Sequence, residues 1–210
     1  MNNRGSDIFT NLIGNAFVTL FLVGLNVLVF LFGIIIGEEV IYNKGAMVTY
    51  KVLMDGEFYR IFTAIFIHAG IEHLVNNMLM LISVGAIVEQ YTGHGFYIIM
   101  YLISGIAGNL LSMAYEIRHN LNWVSVGASG AIMGVVGFLV IWLVVNRRMF
   151  KKNKNLIIRL GLLGLFIVQA CFFQAGANTQ AHLGGLLTGV VLGIINIVLF
   201  KNRKNMEGIA

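Results

Sequence analysis

The sequence predicts an all-α polytopic membrane protein, a bundle of six transmembrane helices. Three observations carry that expectation. The 210 residues are 58% hydrophobic and only 11% charged, against about 25% charged in a soluble domain. The mean hydropathy is +0.85. Six apolar runs each approach the roughly 20 residues that a helix needs to cross about 30 Å of hydrocarbon. Lipid offers no hydrogen-bond partner to an open backbone, so each run reads as helix.

The runs follow in order. Asn15–Gly37 is too long for a signal-peptide core and lacks a clear small-residue cleavage site, so it reads as a retained anchor. Glu38 to Ile67 is the longest connection on the opposite face. Its stretch "FYRIFTAIFI" suits short helices lying in the interface, with aromatic rings at headgroup depth. His73–Val88 is the shortest run. Phe96–Tyr115, Val124–Val145, Leu156–Phe173 and Ala181–Phe200 complete the set. The whole chain, 1–210, is expected to be one membrane domain with short tails at about 1–14 and 201–210.

Lys and Arg set the orientation. One group of loops holds Arg4, Arg147, Arg148, Lys151, Lys152, Lys154, Arg159, Lys201, Arg203 and Lys204. The other holds Lys44, Lys51, Arg60 and Arg118. This bias places both termini in the cytoplasm, with Arg147–Lys154 as a topology anchor facing the lipid headgroups. The net charge of +5 is therefore clustered in loops and does not point to nucleic acid. The single cysteine, Cys171, excludes an internal disulfide.

Polar residues inside the runs carry the functional signal, because a membrane interior penalises them. The second run offers His68, Glu72, His73, Asn76 and Asn77 at or near its start. The fourth offers Ser125 and Ser129, and the sixth Gln180, His182 and Thr188. Runs two, four and six all point from outside to inside. His73, Asn77, Ser129 and His182 therefore fall within roughly 10 Å of the outer end of their helices, at 1.5 Å per residue. Ser129 needs a base to become a nucleophile, and His182 is the candidate. All nine acidic residues lie in loops or at span ends. A serine hydrolase built here would accordingly use a Ser–His dyad. His73 and Asn77, four apart, share one helix face and are candidate oxyanion donors together with the Ser129 backbone.

Small residues fit the same picture. Gly127, Ala128 and Gly130 bracket Ser129, leaving its hydroxyl and neighbouring N–H groups accessible. Gly185, Gly189 and Gly193 line one face after His182, and Gly130, Gly134 and Gly137 line the fourth run. Such faces let membrane helices approach closely.

Competing classes fare worse. His68 and His73 are five apart and point about 140° from one another on a helix, unlike the metal-binding HExxH pair. No metal and no cofactor is expected. A small-solute transporter would predict internal repeats or broken helices near the midplane; the polar layer lies off-centre and no repeat is evident.

At these residues the chain resembles the rhomboid intramembrane serine proteases. Gly127-Ala128-Ser129-Gly130 resembles their GxSG motif, and "AHLGGLLTG" at 181–189 their last-helix AHxxGxxxG motif. His68, His73 and Asn77 match an HxxxxHxxxN pattern, and Arg60 resembles the arginine of the loop motif before it. Tyr59 stands where the family usually has tryptophan, and Met133 where many members carry an aromatic that stacks on the catalytic histidine. The resemblance runs from about Gly45 to Gly193. It implies Ser129 as nucleophile, His182 as general base, and an oxyanion site of His73, Asn77 and the Ser129 N–H. The implied partners are single-span transmembrane protein substrates and membrane lipids. Access is expected through the fifth span and the loop "QAGANTQ", 174–180, read as mobile. The implied setting is a bacterial plasma membrane. A catalytically inactive binder of membrane proteins is the alternative, opposed by the intact Ser129 and His182.

Overall fold

The computed structural model describes residues 14–147 and 176–202, with positions 158, 161, 162, 164, 165, 168 and 169 between them. The expected fifth span, Leu156–Phe173, and nearly all of the basic stretch before it lie outside the described residues apart from those positions.

The fold is a helical membrane bundle. Helix α1 is Phe17–Ile36. Three short helices follow, α2 (Glu38–Gly45), α3 (Thr49–Met54) and α4 (Arg60–Thr63), the last running into a 3-10 turn, Ala64–Phe66. Then come α5 (Ile71–Thr92), α6 (His94–His119), α7 (Ser129–Val145) and α8 (Thr179–Ile194), with a π-helical turn, Ile195–Leu199, closing α8. Among the described residues, α1, α5, α6 and α8 with its extension are long and apolar enough to cross a membrane; α7, at 17 residues, is shorter. The outward faces stay apolar, with Ile35, Leu187 and Phe200 exposed. That suits a lipid solvent and would be unstable in water. The protein is thus an integral membrane protein.

Two elements depart from the sequence expectation. The fourth run does not begin as helix at Val124. Val124–Ser125 forms β2, paired antiparallel with β1, Met47–Val48, so that Met47 faces Ser125 and Val48 faces Val124. Helix α7 starts only at Ser129. Gly127 breaks the run: its φ is +121° and its N–H donates to the Ala64 carbonyl at 2.9 Å. A residue with a side chain rarely adopts that φ. The second departure is Arg60, expected as a loop or interface anchor. It is 1% exposed. Its guanidinium donates to the carbonyls of Ala46 (2.8 Å) and Asn43 (2.6 Å) and pairs with Glu57. Planar donors satisfied on several sides make such burial tolerable. Arg60 therefore stitches α2 to α4 and reinforces the β1 corner, while Tyr50, Met54, Phe58 and Phe62 point outward from this segment.

Two carboxylates at helix ends are buried. Glu89, in the last turn of α5, accepts from the backbone N–H groups of Val18 and Thr19, both at 2.7 Å, and lies 2.6 Å from His94 Nδ1. It caps the N-terminus of α1 from a different helix, where two unsatisfied donors and the positive end of the helix dipole meet the charge. Glu89→Ala would leave those donors buried and unpaired. We expect a loss of about 2 kcal/mol or more in a detergent unfolding titration, with Glu89→Gln intermediate because it keeps one acceptor oxygen.

Packing places α8 chiefly between α7 and α6. Gly185 and Gly189 sit so close to the carbonyls of Gly130 and Gly134 that no Cβ fits between them. On its other side Gly184 rests on Gly108 and Ala107 of α6. At the far end of the bundle Tyr91 of α5 meets Phe138 and Trp142 of α7, with ring centroids 5.9 and 6.0 Å apart. Glycine contacts along their length set how closely α7 and α8 approach, and the aromatic rings hold α7 against α5.

Candidate active site

The local sequence determines how each side chain is presented. Ser129 is the first residue of α7, with Ala128 before it buried. At a helix start the first N–H groups lack intrahelical acceptors and face outward with the positive end of the dipole. A serine deep in a helix usually returns its hydroxyl to the carbonyl one turn back. Ser129 has no preceding turn of α7 to return to. Its Oγ instead lies 2.8 Å from His182 Nε2, joining two residues 53 apart in sequence. His182 is 3% exposed, on the first turn of α8.

His73 and Asn77 lie on the first two turns of α5, beside Gly127. A Cβ on Gly127 would come within 2.8 Å of His73 Cε1 and 2.9 Å of Nε2, and within 3.6 Å of Asn77 Nδ2. The glycine thus keeps open the space into which both donors face. His73 Nδ1 accepts from the Ala69 N–H at 3.3 Å, which leaves Nε2 as the protonated, donating nitrogen. Asn77 Nδ2 is buried without a hydrogen-bond partner among the described residues. A buried donor without a partner is costly in a finished structure and calls for an explanation.

His68 sits behind this pair. It is 4% exposed, its ring edge-on to His73 at 5.2 Å. Burial first, and then His73 beside it, push its imidazole down to about 3, so it is neutral at pH 7. His68 supports the His73 ring and does not reach Ser129 or His182 in any hydrogen bond among the described residues. Arg60 is farther removed, in the α2–α4 corner described above. Met133, the departure from the family's aromatic, is buried in α7 as core packing. Gly130 and Gly185 face each other directly below the pair, and Gly189 faces Gly134 one turn on.

A further group joins the site that motif reasoning did not single out. Asn178 caps α8, its Oδ1 accepting from the Ala181 N–H at 3.0 Å. Its Nδ2 donates to Ser112 Oγ of α6 and to Ser125 Oγ of β2, each at 2.7 Å. Ser112 and Thr49 in turn donate to Glu116, at 3.2 and 2.9 Å. The end of the 174–180 loop, read from sequence as mobile, is therefore held in place at Asn178. The signal was available: an Asn just before a helical apolar run is a common N-cap.

A bundle of membrane helices with a serine on one helix start, a histidine beside it and two donors opposite defines a class, a polytopic membrane protein with a buried polar layer at one end. The Rhomboid domain family model matches residues 55–198, and the chain belongs to the rhomboid family. It is 34% identical over 177 residues to RHOMBOID-like protein 1 of Arabidopsis thaliana, covering 80% of this chain and 43% of that one. It is 36% identical over 141 residues to Rhomboid protease GluP of Bacillus subtilis, covering 66% of this chain and 26% of that one. With Rhomboid protease AarA of Providencia stuartii the identity is 28% over 215 residues, 89% of this chain and 75% of that one. The chain spans less than half of the length of the first two.

Proposed function

We propose that this protein is an intramembrane serine endopeptidase that cleaves peptide bonds in or beside the transmembrane helix of single-span membrane proteins. The observation that carries the reading is the 2.8 Å hydrogen bond from Ser129 Oγ to His182 Nε2 in a buried layer at one end of the bundle. Relatives named as proteases, among them GluP and AarA, support it.

In the proposed reaction Ser129 Oγ attacks the scissile carbonyl carbon and gives its proton to His182 Nε2. The carbonyl oxygen becomes an oxyanion, stabilised by His73 Nε2–H, Asn77 Nδ2–H and the Ser129 backbone N–H at the positive end of α7. The tetrahedral carbon collapses as His182 protonates the leaving amine, and an acyl ester remains on Ser129. Water activated by His182 then hydrolyses that ester and restores the pair. Water enters from the outer end of the bundle, where the polar layer lies.

The finer assignments belong to the same proposal. The chain forms six spans, the fifth at Leu156–Phe173, with both termini in the cytoplasm of a bacterium and the site near the outer face of its plasma membrane. Residues 1–210 act as one domain, lipids line its sides, and neither metal, cofactor nor nucleic acid takes part.

An active-site probe tests the reading. A fluorophosphonate or isocoumarin should label Ser129 and no other serine in the folded protein in detergent. Labelling spread over several serines, or none at all, would favour the inactive binder. Asn77→Ala should lower kcat on a model single-span substrate by about 10²–10³-fold, the cost of one oxyanion donor in a soluble serine protease. Wild-type turnover in that variant would remove Asn77 from the oxyanion site.

A further inference from the structure

The two halves of the dyad are held by one side chain that belongs to neither. Asn178 lies one helical turn before His182, and Ser125 lies four residues before Ser129. The Asn178 amide uses its oxygen and both N–H groups at the junction. Its oxygen caps α8, and its nitrogen donates to Ser125 Oγ and Ser112 Oγ, each at 2.7 Å. The Asn178 backbone carbonyl also accepts from the His182 N–H at 3.1 Å. Ser112 is fully buried and Ser125 nearly so. Through Ser112 and Glu116 the chain of hydrogen bonds continues to Thr49, at the start of α3 next to β1. β1 in turn pairs with β2.

We infer that Asn178 is a positioning residue: its amide clamps the start of α8 to the strand leading into Ser129, and so sets the Ser129–His182 distance. The inference rests on the dyad reading above. Its physical basis is the geometry of the two backbones. Below the pair, α7 and α8 touch through glycines and register is fixed by backbone contact. Above the pair α7 has no further turn to supply such a contact, because it begins at Ser129. Ser129 is reached through the non-helical turn at 126–128, and His182 through the loop ending at Asn178. The β1–β2 pairing and the Gly127–Ala64 hydrogen bond hold the first approach to its own neighbours, and the contact of Ala181 with Gly108 holds the second to α6; the Asn178 amide joins the two approaches to each other. A single planar amide with two donors on the same nitrogen fixes both approaches at once. A cap alone would need only the oxygen, so the paired serines define a second role for the nitrogen.

The test separates cap from clamp. Asn178→Ser keeps an N-cap of comparable quality but is too short to donate to both serines. Ser112→Ala combined with Ser125→Ala removes the two acceptors and leaves the cap intact. Both variants are measured beside the wild type and Ser129→Ala for detergent melting temperature, fluorophosphonate labelling rate at Ser129, and kcat and KM on a single-span substrate. The expected result is a melting temperature within a few degrees of wild type and a labelling rate and kcat lower by about 10–100-fold, the range for a misplacement of about 1 Å. KM should change by no more than about twofold, since the proposed role is to set the Ser129–His182 distance and not to hold substrate. The triple variant should be no worse than the poorer parent, because both remove the same tie. Wild-type labelling in either variant, or losses that simply multiply in the triple variant, would overturn the clamp while leaving the dyad standing. Should one variant unfold, the other decides alone. A wild-type protein that labels no more than Ser129→Ala would overturn the dyad, and the clamp with it.

Discussion

Ser129→Ala is expected to abolish cleavage of a single-span substrate in liposomes while leaving the melting temperature of the protein within a few degrees of wild type. The structural cost is small. Ser129 is half-buried and holds one side-chain hydrogen bond, to His182. It is the first residue of α7 and not its cap, so alanine there loses no capping contact. The chemical cost is total for the covalent route, because the hydroxyl removed is the one 2.8 Å from His182 Nε2. Loss of a nucleophile in a soluble serine protease leaves only the small residual rate supplied by binding and oxyanion donors, with kcat down by about 10⁶-fold. His182→Ala should match it, and the double variant should be no worse than either single one, since the two act as a unit. A Ser129→Ala protein that cleaves at the wild-type rate would end the dyad reading.

The second large effect is steric. Gly185→Ala and Gly189→Ala should each cost activity by at least 100-fold, with a clear drop in melting temperature. An added Cβ at Gly185 would overlap the Gly130 carbonyl, and at Gly189 the Gly134 carbonyl. Both obstacles are backbone, which cannot swing aside as a flexible side chain would. Overpacking usually costs about 1–3 kcal/mol, and rigid backbone on both sides puts these positions at or above the upper end. Pushing α8 off α7 also opens the gap that His182 must span to reach Ser129, where about 1 Å is worth about 10²-fold. The contrast is Gly24→Ala in α1, where nothing lies within 4 Å of the added carbon. That change should be neutral or slightly stabilising, given the higher helix propensity of alanine. Equal tolerance of Gly24→Ala and Gly189→Ala would refute the close-contact account.

Much of this molecule was legible before any coordinates. The spans could be marked because hydrocarbon permits only long apolar helices, and composition alone reports them. α1, α5, α6 and α8 with its π-helical extension begin and end within a few residues of their apolar runs. Ser129, His182, His73 and Asn77 stood out because ionisable and polar groups are rare where lipid excludes water. The glycine face of α8 was visible as a spacing of four. The fifth span and most of the basic stretch, Arg148–Arg159, lie largely outside the described residues, and the structure adds nothing to them.

What the sequence missed has one physical origin. Hydropathy records how much a residue prefers lipid, and says nothing of which hydrogen bonds its backbone will make. Val124 and Ser125 are apolar enough to extend a helix, yet Gly127 and the pairing with Met47 and Val48 make them a strand. Arg60, Glu89 and Glu116 read as charges at loops and ends, but are buried because distant carbonyls, N–H groups and hydroxyls reach them. Asn178 read as part of a loose loop, because its partners lie 66 and 53 residues away.

The sequence by itself determined that this chain lives in a membrane as helices, and which side chains are chemically able to act there. Those are properties of residues and their local spacing. Only the tertiary structure decided that Ser129 opens a helix instead of lying within one, that His182 reaches it, and that one asparagine amide joins the approaches to both. Each of these depends on where backbones far apart in sequence come to rest, and that is fixed by contacts between helices, which no local pattern encodes.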